Sequence, residues 1–214
     1  MLPKYFVCVL LLSVIAVDCL EVGTPRVTKP ITEKRGTDPC VDNGLPIQLH
    51  GGNIMPNTNL YLIWYGNWAG NSGLNIIPTF LNDFGTSDWF AANFGYYGQD
   101  GSYVSSITLK NTYSDNYSQG NNLTINQAAN VVSSAIQGGS LPDDPTAGLY
   151  VILASSDVGA DGFCTIYCGY HSYYGSGNNY YKFALINNAD SQCPNLCTAQ
   201  TTSPNNNFGV DGMV

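Results

Sequence analysis

The sequence predicts an α/β fold: a single domain with a mixed β-sheet and flanking helices, stapled by disulfides. Three observations carry that expectation. Apolar, strand-like runs alternate with segments whose apolar residues recur at helical spacing. The 214 residues suit one domain of ordinary size. Four cysteines, Cys164, Cys168, Cys193 and Cys197, fall in two C-x-x-x-C pairs, each placed shortly after a strand-like run.

In chain order, Met1 to Lys4 give a short positive segment and Tyr5 to Val17 is apolar except for Ser13. Fairly small residues precede Cys19, so residues 1–19 read as a secretory signal peptide. A membrane-spanning helix needs about 20 apolar residues, and this run is shorter. The mature chain is therefore expected to be secreted and extracellular, with no membrane span. Residues 20–44 mix Pro, Thr, Lys, Glu and Gly without an apolar period and read as an extended or flexible lead-in. The folded body is expected over residues 45–214.

Within that body, Asn59 to Tyr65 is an apolar, aromatic run without clean alternation, expected as a central strand buried on both faces. Asn75 to Phe84 places Ile76, Ile77, Phe80, Leu81 and Phe84 on one helical face, with Pro78 tolerated in the first turn. Ser87 to Phe94 reads as a second helix with Ser87 as N-cap. Tyr103 to Leu109 reads as a strand that continues towards Tyr113. Thr124 to Ile136 is the clearest helix: Thr124 caps it, Ile125, Ala128, Val132, Ala135 and Ile136 form its buried stripe, and Gly138-Gly139 ends it. Gly148 to Ala154 and Lys182 to Ile186 read as further strands, each delivering one cysteine pair. The segment from Tyr170 to Tyr181 reads as a Tyr- and Gly-rich loop.

Cys8 and Cys19 belong to the leader, so five cysteines remain in a compartment where disulfides persist. Disulfides are preferred to a structural zinc site for the two pairs, and Cys40 is left over, free or paired between chains. Four cysteines allow three connectivities. Bonds between the two pairs are favoured here because they tie two strand ends together.

The formal net charge is -8, and past Arg35 only Lys110 and Lys182 are positive. A body so poor in Lys and Arg cannot neutralise a phosphate backbone, which excludes nucleic acid as a partner, and an anionic membrane surface is disfavoured for the same reason. Asn116-Tyr-Ser and Asn122-Leu-Thr are N-glycosylation acceptors.

His171, with Asp157 and Asp161 nearby in sequence, sketches a metal or acid–base site. The preferred account is a histidine hydrogen-bonded inside a disulfide-knotted loop, so no catalytic residue, metal or cofactor is assigned. H-E-x-x-H, a nucleophile elbow and a phosphate loop are all missing from these residues. A glycosidase pair would need two carboxylates set across a sugar, whereas the Asp residues here fall mostly at turns and helix starts, where they cap. Aromatic faces can pack on the C–H faces of sugars. Trp64 and Trp89 are expected in the core. Tyr170, Tyr173, Tyr174, Tyr180 and Tyr181 of the Tyr-rich loop form the candidate binding surface, for an extracellular glycan or matrix polymer.

The order of motifs also carries a likeness. Leu49-His-Gly-Gly52 precedes Leu-Ile-Trp-Tyr-Gly66 and Tyr117-Ser-Gln-Gly120; then come Asp161-Gly-Phe-Cys164, Cys168-Gly-Tyr-His171, Lys182-Phe-Ala184, Gln192-Cys-Pro194 and the closing Gly209-Val-Asp-Gly-Met-Val214. From about His50 to Val214 this succession resembles the EXORDIUM-like, phosphate-induced protein family. The resemblance implies a secreted protein of the apoplast and cell wall, tied to cell expansion and to growth responses to brassinosteroid and carbon status. It implies no firmly attached catalytic activity. Family members usually continue past Val-Asp-Gly-Met, some into a segment resembling a helix with a His-Glu pair, while this chain stops at Val214. The functional expectation is a non-catalytic extracellular protein in growth-related signalling or matrix interaction. The alternative is a truncated, zincin-like metal-dependent hydrolase domain lacking that helix.

Overall fold

The computed structural model describes residues 54–95, 100–200, 202–203, 205–207 and 209–213, together with the backbone of three short N-terminal strands. Those strands are β1 (Phe6–Cys8), β2 (Cys19–Val22) and β3 (Arg26–Thr28). Then follow β4 (Asn57–Tyr65), α1 (Gly73–Phe84), α2 (Asp88–Ala91), β5 (Ser106–Asp115), β6 (Asn122–Leu123) and α3 (Ile125–Gln137). The chain continues through β7 (Gly148–Ala154), β8 (Gly159–Ala160), β9 (Gly169–Ser176), β10 (Asn179–Ile186), α4 (Ala189–Gln192) and α5 (Pro194–Cys197).

The body is a mixed five-stranded sheet in the order β9-β10-β7-β4-β5. Strands β10, β7, β4 and β5 run parallel, and β9 is antiparallel to β10. The backbone of β2 and β3 adds to the outer edge of β9, and β1 pairs with β2. Parts of the lead-in expected to be extended or flexible are thus strands on that edge. Cys40 and His50 lie outside the described residues.

β4 sits between β5 and β7, which explains its unbroken apolar composition. Its odd residues Tyr61, Ile63 and Tyr65 enter one core, and its even residues Leu60, Leu62 and Trp64 enter the other. β7 divides the same way, with Tyr150 and Ile152 on one side and Val151 and Leu153 on the other. The first crossover, β4 to β5, moves one way along the sheet. The second, β5 to β7, moves back past β4. Right-handed crossovers moving in opposite directions place their helices on opposite faces. Accordingly α3 packs on the Tyr61–Ile63 face, and α1 packs on the Leu62–Trp64 face.

α3 has the cap its sequence calls for. The Thr124 hydroxyl accepts from the Gln127 N–H at 3.2 Å, and the Gln127 side chain accepts from the Thr124 N–H at 2.9 Å. Its buried stripe is Ala128, Ala129, Val131, Val132 and Ala135, while the expected Ile125 and Ile136 pack partly buried at its margins. In α1 the helix begins at Gly73, so Pro78 lies in the second turn rather than the first. Ser87 caps α2 as expected, accepting from the Phe90 N–H at 3.1 Å.

The two C-x-x-x-C segments are joined to each other by Cys164–Cys193 and Cys168–Cys197. The first segment is the loop entering β9, and the second contains α5, just after β10. The bonds therefore clasp the chain before the β9–β10 hairpin to the chain after it. Among the described residues, no helix is long and apolar enough to cross a membrane.

Candidate functional site

In an open α/β sheet, ligands gather at the carboxyl ends of the parallel strands, where neighbouring connections diverge to opposite faces. Here that point lies between the ends of β4 and β7. It is built from Tyr65-Gly66-Asn67-Trp68, Ser114 to Ser118 at the end of β5, and Ser155-Ser156-Asp157 after β7. The three ends are laced together: the Gly66 N–H donates to the Asp115 carbonyl and the Ser155 N–H to the Tyr65 carbonyl, both at 2.9 Å.

The geometry depends on Gly66. Its φ is +94°, a region costly for side chains, and a Cβ there would stand 2.1 Å from the Ser155 Oγ. The Ser155 hydroxyl accepts from the Asn67 N–H at 3.0 Å and donates to Asp157 Oδ1 at 2.6 Å. The Tyr117 hydroxyl donates to the other oxygen of Asp157 at 2.5 Å. The Ser155 and Tyr117 bonds hold the Asp157 carboxyl below its ordinary range, while the bond to Asp157 raises the Tyr117 hydroxyl. Asp157 is thus an ionised acceptor rather than a protonated acid. Its serine partner donates to a carboxylate, and among the described residues no imidazole is bonded to it.

The crevice floor is occupied by the protein itself. Trp68 is buried, and its indole N–H donates to the Tyr65 carbonyl at 3.2 Å and to the Leu153 carbonyl at 3.1 Å, closing the gap between β4 and β7. Trp64 packs edge-on against it with ring centres 4.9 Å apart. Ser155 is likewise buried. Sequence reasoning missed Trp68 as a plug, because nothing local marks a tryptophan three residues past a strand as filling a crevice.

The Tyr-rich loop is corrected. Residues 169–186 form a β-hairpin, with Ser176 paired to Asn179 and Gly177-Asn178 as a two-residue turn. The signal was present: Tyr170, Ser172 and Tyr174 alternate with His171 and Tyr173, and a Gly-Asn pair sits at the bend. Tyr170 is 5% exposed and Tyr174 is 3% exposed, so neither can be a binding surface. Both face the α3 core, where Tyr174 stacks on Tyr181 at 5.0 Å. Tyr181 is itself held by a 2.7 Å bond to Asp143, and burial first, then that bond, pushes its hydroxyl up to about 12. Tyr173 and Tyr180 meet edge-on at 5.5 Å, and Tyr173 is exposed.

His171 is exposed on β9, whereas Asp161 follows β8 and accepts from the Asn122 amide. Among the described residues, no three His, Cys, Asp or Glu side chains come together as metal ligands. Several aspartates do cap turns. Asp115 accepts from the Ser118 N–H and hydroxyl, and Asp144 accepts from the Ala147 N–H, the Asn59 amide and the Tyr61 hydroxyl. The closing Val-Asp-Gly-Met is structural as well. Val210 and Met213 are buried in the α1-side core, Asp211 binds Ser203 and Asn205, and a Cβ at Gly212 would sit 2.4 Å from Asp190 Oδ1. The cleft beside it, about 100 Å³, is lined by Asp190, Thr198, Gln200, Ser203 and Asp211 among others.

The second correction concerns tryptophan. Trp64 is core, as expected, but Trp89 is 76% exposed. α2 is only four residues long, and Phe90 takes its buried side. Trp89 therefore projects outward, 5.6 Å from Phe84 between ring centres. Phe80, Phe94 and Leu74 are exposed nearby in sequence, and Phe80 and Phe94 join the chain of rings through Phe84 and Phe90.

These features define a disulfide-clasped α/β domain with a plugged switch point and an exposed aromatic face. The chain belongs to the family described as Phosphate-induced protein 1 conserved region, which matches residues 47–214. It is 32% identical over 200 residues to Protein EXORDIUM-like 5 of Arabidopsis thaliana, covering 80% of this chain and 55% of that protein. It is 30% identical to Protein EXORDIUM-like 3 of the same plant, covering 80% of this chain and 59% of the relative. Identity to Protein PHOSPHATE-INDUCED 1 of Nicotiana tabacum is also 30%, covering 78% and 60% respectively. The chain thus spans a little over half the length of these relatives. No solved structure matches it.

Proposed function

We propose that the protein is a secreted, non-catalytic member of the EXORDIUM-like type that works outside the cell in growth-related signalling or matrix interaction, holding a glycan or matrix polymer through its Trp89 face. The observation that carries this reading is the exposure of Trp89, 76%, in a molecule that buries Trp64 and Trp68 almost completely. A large aromatic ring left in water forgoes substantial burial, and a sugar's C–H face is a suitable cover for it. Two features support the rest. Paired disulfides suit an oxidising, extracellular compartment. The position where α/β enzymes bind their ligands is filled by the Trp68 indole and the pinned Ser155 hydroxyl.

The test is retention on insoluble cell-wall polysaccharide, comparing the full chain with Trp89→Ala. Retention of the wild type and at least a tenfold loss in the variant, at unchanged melting temperature, is the expected result. A folded wild type that is not retained on any polysaccharide in a broad panel would overturn the reading.

A further inference from the structure

The two sequons look equivalent in sequence, but the fold does not treat them alike. We infer that Asn116 is the N-glycosylated asparagine of this protein and that Asn122 is a structural residue left unmodified. The inference rests on the secreted reading above, because only a chain entering the secretory pathway meets the glycosyl donor.

In the second sequon the Asn122 side chain is exposed, but its amide nitrogen is tied to the fold. The modification would occur at the Asn122 amide nitrogen, and that atom donates to Asp161 Oδ1 at 2.5 Å. The Asn122 side-chain oxygen lies 2.9 Å from where a Cβ on Gly159 would be, so the amide is pressed against the neighbouring strand. Its backbone pairs with Gly159 in the parallel β6–β8 ladder. Leu123 is fully buried, and the sequon hydroxyl, Thr124, is the N-cap of α3. A glycan on Asn122 would leave its nitrogen a single N–H and set a bulky, hydrated group beside the Asp161 carboxylate.

Asn116 differs at the amide, although its sequon hydroxyl is engaged as Thr124 is, Ser118 donating to Asp115 Oδ2 at 2.7 Å. It follows the last residue of β5, its side chain is exposed, and the chain turns there through Tyr117 at φ +57° and Gly120 at φ +85°. A hydrogen bond from the Gly120 N–H to the Tyr117 carbonyl closes the turn at 2.9 Å. A turn presenting an exposed Asn amide accepts a glycan without moving a core residue. The neighbouring Tyr117 hydroxyl is bound to Asp157, so the sugar would stand at the rim of the plugged switch point.

In the transfer, the Asn116 amide nitrogen attacks the anomeric carbon of a polyprenyl-diphosphate-linked oligosaccharide, under a membrane oligosaccharyltransferase. An N–C bond forms, the C–O bond to the diphosphate breaks, the lipid diphosphate leaves with the electron pair, and the nitrogen loses one proton.

The experiment expresses the full chain in a glycosylating eukaryotic host, once behind its own leader and once behind a heterologous one. Glycans are then removed enzymatically in heavy-oxygen water, which converts each formerly glycosylated Asn into a labelled Asp readable by peptide mass spectrometry. The expected result is label at Asn116 in most secreted molecules and none at Asn122. Asn116→Gln then abolishes the shift in gel mobility, and Asn122→Gln leaves it unchanged in whatever protein is recovered. With the heterologous leader, an unlabelled Asn116, or a labelled Asn122 in folded protein, overturns the inference. Labelling with the heterologous leader but not with the native one would instead overturn the secreted reading and leave the preference for Asn116 standing.

Discussion

The two faces of the sheet are finished differently. On the α3 face, Tyr61, Ile63, Tyr150, Ile152, Phe183 and Leu185 meet Ala128, Val131, Val132 and Ala135 in a continuous core, with Tyr170, Tyr174 and the clasp closing its far side. On the α1 face, Leu62, Trp64 and Leu153 are just as buried, but α1 contributes only Gly73 and Ile77 as fully buried residues. Val210 and Met213, from far along the chain, complete that layer. Leu74, Phe80, Trp89 and Phe94 are left outside. The difference separates a load of stability carried by one face from a surface available for contact on the other.

The largest effect should follow from opening the sealed face. Phe183→Ala removes a fully buried ring beneath Tyr170 and Tyr174 and should cost about 3–5 kcal/mol, measured by denaturant unfolding. A matching Phe80→Ala on the other face should change stability by only about 0.5 kcal/mol. Equal costs would erase the contrast between the faces.

The clasp comes next. Each disulfide closes a separation of 29 residues, a loop that a chain-entropy account values at about 3–4 kcal/mol, so removing both by Cys→Ala replacement should cost more than that. The two loops overlap almost entirely, so with one bond in place the other closes only a short residual loop, and removing one bond alone should cost clearly less than removing both. Non-reducing peptide mapping that found 164–168 and 193–197 linkages would contradict the clasp itself.

Thr124→Ala removes the cap of α3 and should lower stability by about 1 kcal/mol. Ser87→Ala, at the four-residue α2, should cost less, because little helix depends on it. Chemical denaturation of the pair distinguishes the two faces again.

Acid should act through the floor of the α3 face. Burial pushes the Asp144 carboxyl up, but bonds from Asn59, the Ala147 N–H, Tyr61 and the Gly148 N–H outweigh it and hold the group below its ordinary range. A depressed folded value means that the stabilisation is present above the unfolded value, near 4, and is lost as pH falls through the folded value. Asp144→Asn should therefore flatten the acid limb of a stability–pH curve below about pH 4. An unchanged limb would remove Asp144 from the account. The smallest effect on stability, within about 0.5 kcal/mol, is expected for Trp89→Ala, whose consequence should instead appear as lost polysaccharide retention.

Much of this fold is written locally. The doubly buried β4, the capped α3 and the strand at Gly148 to Ala154 follow from apolar runs, a Thr-x-x-Gln box and the Gly138-Gly139 stop, all of which act within a few residues. The motif order was enough to indicate the family. What the sequence left unassigned was which side chains of the 169–186 hairpin and of the tryptophan-bearing segments meet water. His171 and Tyr170 are neighbours, yet one is exposed and the other is core, because a hairpin ladder alternates its faces and the ladder exists only when β9 finds β10. Trp68, in Gly-Asn-Trp-Ala-Gly-Asn, has the more polar neighbours yet is as buried as Trp64, while Trp89 beside Phe90 is exposed. The packing of β7 beside β4 turns Trp68 into a plug, while in α2 Phe90 takes the buried side and leaves Trp89 outside. Burial is decided by partners distant in sequence, so it belongs to the tertiary structure.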